Sequence, residues 1–72
     1  MIPPLEPHCG SWIIVRRATG EPVLETFERT TAERVNQTAY AVFTAARWLG
    51  AMNKAIKAGH TDYCRAAYDE LE

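Results

Sequence analysis

The sequence predicts a small α+β domain, and three observations carry that prediction. Two apolar runs separated by a glycine turn read as a β-hairpin. A later segment has an apolar stripe at helical spacing and closes on a glycine. Between them five strand-forming residues follow a turn, and a lone two-stranded hairpin is marginal without a third strand. The expected architecture is a three-stranded antiparallel sheet packed on helices, in the order β-β-α-β-α-α. The alternative is a β-hairpin followed by a long helix.

The hairpin is apolar on both faces. Ser11 to Arg17 reads as one strand and Pro22 to Phe27 as the next, with Ala18-Thr19-Gly20-Glu21 turning between them and Gly20 free to take a positive φ. If Arg17 pairs with Pro22, Ile13, Val15 and Leu24 point one way, and Trp12, Ile14, Val23 and Phe27 the other. The chain's own helices can cover one face. A domain of this size has little left for the second, which points to a second copy or a partner protein.

After the hairpin, Thr30-Thr31-Ala32-Glu33 reads as a capping box opening a short helix that runs through about Asn36. Asn36-Gln37-Thr38 then turns into Tyr40-Ala41-Val42-Phe43-Thr44, the third strand. The competing pattern is real. No proline or glycine interrupts Ala32 to Leu49, and Val35, Ala39, Val42, Ala46, Leu49, Asn53 and Ile56 fit alternating steps of four and three along one helix. Thr44 is an expected N-cap for the clear helix, whose stripe is Ala45, Trp48, Leu49, Met52, Ala55 and Ile56, and Gly59 its C-cap. The stripe Trp48, Leu49, Met52 and Ile56 is expected to pack on one sheet face. Thr61 then caps a last short helix with Tyr63, Cys64, Ala67, Tyr68 and Leu71 as its contact face.

Seventy-two residues, nearly half of them apolar and a quarter charged, fit one small globular domain. Residues 1 to 10 hold three of the four prolines and read as an extended arm; residues 11 to 72 form the domain. The first residues lack a basic-then-apolar signal pattern, and no apolar run approaches the ~20 residues of a membrane helix, so the expected compartment is the cytoplasm, with no membrane partner. The net charge is −1 but unevenly spread: no acidic residue lies between Arg34 and His60, while acids cluster on both sides.

Candidate chemistry is sparse. His60 and Cys64 are four apart and could share a zinc ion with His8 or Cys9, but Thr61 as a cap leaves His60 outside the helix, and no paired Cys-x-x-Cys spacing exists. No serine sits in a glycine-flanked elbow, and no glycine-rich phosphate loop or acid–base pair is present; no enzyme activity and no cofactor is expected. Arg34, Arg47, Lys54 and Lys57 are the candidate nucleic-acid contacts, against a slightly acidic overall balance. Trp12, Ile14, Arg16, Val23 and Phe27 are the candidate protein-binding residues, because aromatic and arginine side chains anchor interfaces. The expected assembly is a homodimer, in which the same face would pair across a twofold axis with Arg16 near Glu25 of the other copy, burying Trp12 and Phe27 for about 2 kcal/mol each.

The segments Gly10-Ser11-Trp12, Ala18-Thr19-Gly20-Glu21, Glu25-Thr26-Phe27, Thr31-Ala32-Glu33-Arg34-Val35-Asn36, Tyr40 with Val42, and Trp48-Leu49 followed by Asn53 together resemble small uncharacterised proteins of bacteriophages and integrated mobile elements. The resemblance spans roughly residues 10 to 57, and no family activity comes with it. It implies a strand around Tyr40, and so favours the three-stranded sheet over the long helix. It also implies a setting in which a small non-enzymatic module binds a host protein and modulates or inhibits it. The alternative function is a small nucleic-acid-binding or transcription-modulating protein acting through the basic helix.

Overall fold

A computed structural model of the chain describes residues 10–72; the proline-rich arm reading, and His8 and Cys9 with it, lie outside the described residues. The elements follow in the expected order: β1 (Trp12–Arg16), β2 (Pro22–Thr26), α1 (Arg29–Glu33), β3 (Tyr40–Thr44), α2 (Ala45–Lys57) and α3 (Tyr63–Leu71). The three strands form one antiparallel sheet in the order β2-β1-β3. Residues 40–44 are therefore a strand, not part of a long helix. The turn at Asn36 isolates them: its Oδ1 accepts from Thr38 N at 3.0 Å, and its carbonyl accepts from Ala39 N and Tyr40 N.

The hairpin register differs from the simple pairing of Arg17 with Pro22. Arg16 N donates to Glu21 O at 2.8 Å, and Gly20 N donates to Arg16 O at 2.8 Å, closing a tight loop with Gly20 at φ +76. Val15 then faces Pro22, but Ile14 faces Leu24, so Val23 is the extra residue of a bulge. Proline brings no N–H to the ladder and sits on an edge strand at this bulge, where the loss is tolerated. The consequence is a change of side. Leu24 shares a face with Trp12 and Ile14, not with Ile13 and Val15.

One sheet face carries the main core. Val15, Ala41 and Phe43 pack with Trp48 and Ala51 of α2 and with Ala67 and Tyr68 of α3, with Ile13, Met52, Cys64 and Leu71 at the margin. Phe43 stacks on Trp48 at 5.9 Å and meets Tyr68 edge-on at 6.3 Å. The expected α2 stripe is rotated. Trp48, Ala51 and Ala55 are buried, whereas Leu49 and Ile56 are about half exposed. Small alanines let the helix lie close to its neighbours, and Trp48 supplies the bulk.

The chain itself covers the middle of the second face, where the sequence pointed to a second copy or a partner protein. β2 and β3 both run antiparallel to β1, on opposite sides of it, so they run parallel to each other. The link between them must travel the length of the sheet across one face. α1 and the turn after it make that crossing on the face opposite α2 and α3. Ala32 of α1 is fully buried, and Ile14, which shares the groove lining with residues of α1 and the turn after it, is 4% exposed.

The helix ends explain the boundaries. Thr26 Oγ1 accepts from Glu28 N at 3.1 Å, turning the chain straight after β2, so α1 starts at Arg29 with Glu28 as its N-cap. It makes no side-chain cap bond there, which replaces the expected Thr30 capping box, and it ends at Glu33 rather than Asn36. Thr44 caps α2 as expected, accepting from Arg47 N at 3.3 Å. Gly59, at φ +85, closes that helix, with Gly59 N on Ile56 O and His60 N on Ala55 O. α3 is capped by Asp62, not Thr61: its carboxylate accepts from Arg65 N at 3.1 Å, a stronger acceptor facing the positive end of the helix.

The hairpin tip is bound to α3. Arg65 Nη1 donates to the carbonyls of Arg17 (3.1 Å) and Ala18 (3.3 Å), and its guanidinium lies 5.4 Å from the Tyr68 ring centre. Arg17 reaches across the tip: Nε donates to Gln37 O at 2.8 Å, Nη1 donates to Tyr68 Oη at 3.1 Å, and it also pairs with Glu72. The Tyr68 hydrogen bond raises the Arg17 pKa above its ordinary value; burial opposes it, and the Glu72 charge adds to the rise.

A Cβ at Gly20 would lie 2.8 Å from the Arg65 Cα, while one at Gly59 would meet open space. Both positions need a positive φ, which costs an ordinary residue about 1–2 kcal/mol. Gly59→Ala should therefore lose about 1–2 kcal/mol, and Gly20→Ala clearly more, because helix backbone must move aside. Urea unfolding of the two variants checks the order. Equal losses would contradict the close approach of α3 to the tip.

Candidate functional site: the groove over Ile14 and Leu24

The crossing segment covers the middle of its face but not the β2 side. Between them runs a groove of about 500 Å3 lined by Ile14, Val23, Leu24, Thr31, Arg34, Val35, Asn36 and Tyr40. Its floor is Ile14 of the central strand. The bulge brings both Val23 and Leu24 to it, although an unbroken ladder would send neighbouring residues to opposite faces. Val23 is 41% and Leu24 49% exposed, and Phe27, just past the strand, is 73% exposed. Thr31, Arg34, Val35 and Asn36 come from α1 and its turn, and Tyr40 from the start of β3. A mostly apolar concavity with a few polar groups on its rim has the character of a binding site.

The candidate protein-binding residues divide in two. Val23 lines the groove, and Phe27 and Arg16 are exposed beside the hairpin. Trp12 is interior, and Ile14 shows only as the groove floor, so neither projects from the surface as the simple hairpin reading expected. Arg16 lies 4.0 Å from Glu21 of its own chain, and Glu25 accepts a hydrogen bond from buried Ser11, so both partners of the imagined intersubunit pair are engaged within one chain. Leu24 was not among the candidates. The bulge that turns it into the groove is signalled only by Pro22 directly before Val23-Leu24.

The candidate nucleic-acid residues do not converge. Arg34 borders the groove on one side of the sheet, whereas Arg47, Lys54 and Lys57 belong to α2 on the other. Lys54 is paired with Glu70 at 2.6 Å. Trp48, the large aromatic of α2, is buried at 2% exposure and offers no ring for a base to stack on.

His60 is exposed two residues past the C-cap of α2, and Cys64 is half-buried against the core. No group of three or more metal-ligating side chains occurs among the described residues. Burial, then the charges of Asp62 and Glu21, push the Cys64 thiol pKa up, which disfavours the reactive thiolate. Among the described residues no helix is long and apolar enough to cross a membrane. Comparison with protein-family models, with curated proteins and with solved structures finds no match to this chain.

Two outcomes follow from this placement. Trp12→Ala should cost about 3–5 kcal/mol in thermal or urea unfolding, as a large buried aromatic does, while Phe27→Ser changes stability by less than about 0.5 kcal/mol. In a Cys9→Ser background, iodoacetamide should label Cys64 more slowly in the native protein than in urea at the same neutral pH. Equal rates would contradict a raised thiol pKa.

Proposed function

We propose that this chain is a non-enzymatic protein-binding module that takes a segment of a host protein, in the phage or mobile-element setting its sequence suggests, and modulates or inhibits that protein. The observation that carries the reading is the apolar groove over Ile14, Val23 and Leu24, with exposed Phe27 beside it. A small fold gains stability by burying large apolar side chains, and this one leaves Val23, Leu24 and Phe27 partly or largely facing water. Covering what remains exposed would contribute about 1 kcal/mol each for Val23 and Leu24 and about 2 kcal/mol for Phe27. Among the described residues the groove's only formally charged side chain is Arg34, so they offer contact area and one fixed charge rather than an acid and a base held together.

The test is capture from host lysate on the tagged chain, with and without nuclease, followed by binding of the purified captured protein to wild type and to Leu24→Asp. Leu24 is half exposed, so the substitution should leave the melting temperature nearly unchanged while weakening binding by about tenfold or more. Retained material that vanishes with nuclease, or a partner indifferent to Leu24→Asp, would overturn the reading.

A further inference from the structure

The groove's own charge narrows what it would hold; this inference rests on the protein-binding reading. Arg34 sits at the C-cap of α1, its backbone N–H held by the carbonyls of Thr30 (3.1 Å) and Thr31 (3.2 Å), which fixes the residue at the groove rim. Its side chain is exposed, and among the described residues no ion pair involves it. Three acids of the hairpin and α1 are engaged elsewhere: Glu33 lies 3.8 Å from Arg29, Glu21 lies 4.0 Å from Arg16, and Glu25 accepts from Ser11. A cation beside an apolar floor is complementary to an apolar group next to an anion. A guanidinium binds a carboxylate through two parallel hydrogen bonds, more strongly where apolar walls exclude water. The size selects further. About 500 Å3 holds a few side chains, while an α-helix is itself about 10–12 Å across.

We propose that the groove binds a short extended segment of a partner protein in which one or two apolar residues stand next to an aspartate or glutamate. The apolar residues lie over Ile14, Leu24 and Val35, and the carboxylate pairs with Arg34. The apolar part supplies most of the contact area, and the carboxylate fixes direction and sequence preference.

Selection of a displayed library of random peptides on the full chain tests this, with the enriched sequence then made as a synthetic peptide. The expected consensus is one or two apolar residues beside an acid. The peptide should bind Arg34→Glu about tenfold or more weaker than wild type, and a peptide with lysine in place of the acid should regain binding to Arg34→Glu. Both should lose binding to Leu24→Asp. Circular dichroism and thermal melts check that both variants keep the fold. Peptides that depend on Leu24 but are indifferent to Arg34→Glu would overturn the acidic preference alone and leave the protein-binding reading standing. A library that yields no binder to the groove would also overturn this inference, and the protein-binding reading would then be decided by whether the captured protein depends on Leu24.

Discussion

The arrangement of the molecule follows from the position of β1 between two strands that both run against it. A central strand with a hairpin partner on one side and a distant partner on the other leaves the chain only one way to connect the outer pair. It must cross a face of the sheet. That crossing converts the first hairpin from a two-faced apolar surface into a buried centre, with Val15 inaccessible from one side and Ile14 nearly so from the other. The crossing segment is also short. Its helix is only Arg29–Glu33, too small to span the sheet's width, and the uncovered strip beside β2 is the groove. Core and candidate site are two results of one topological constraint.

The other face is held differently. There α2 and α3 lie on the sheet, and the polar network at the hairpin tip links elements far apart in sequence. Arg17, Arg65, Tyr68 and Glu72 join the loop, the turn at Gln37 and the last helix. Exposed ion pairs contribute little alone. These gain from being partly buried and from sharing Tyr68, which accepts from Arg17, donates to Glu72 at 2.9 Å and carries the Arg65 guanidinium on its ring. The network orients α3, and Gly20 lets the tip come close enough for it to form.

Much of this was legible in the residues. The hairpin, the positive φ of Gly20, the turn at Asn36, the Thr44 cap and the Gly59 stop all rest on local chemistry, and local chemistry is what a sequence displays directly. Three features were not legible for the same kind of reason. The Val23 bulge depends on how Pro22 fits a neighbouring strand, and it moves Leu24 to the opposite face. Burial of Ile14 depends on where the β2–β3 link travels, which needs the strand order. The rotation of α2, which buries Ala51 and exposes Leu49 and Ile56, depends on where α3 packs. The site was therefore half visible: Val23 and Phe27 could be picked out as apolar strand residues, while Leu24, Val35 and the role of Arg34 came only from the tertiary arrangement.

The functional account stands on the groove, and the groove stands on the strand order and the bulge. Nuclear Overhauser contacts between Hα protons across the sheet test both in one experiment. The ladder bonds that bracket the sheet, Arg16 N to Glu21 O on one side and Arg17 N to Ala39 O on the other, set which pairs bring these protons together. The account predicts an Hα–Hα contact between Ile13 and Glu25 on the β2 side and between Ile14 and Val42 on the β3 side. A contact between Ile13 and Leu24, which an unbroken ladder continuing from Val15 and Pro22 would give, or helical contacts running through Tyr40 to Thr44, would remove the bulge or the third strand, and with it the groove.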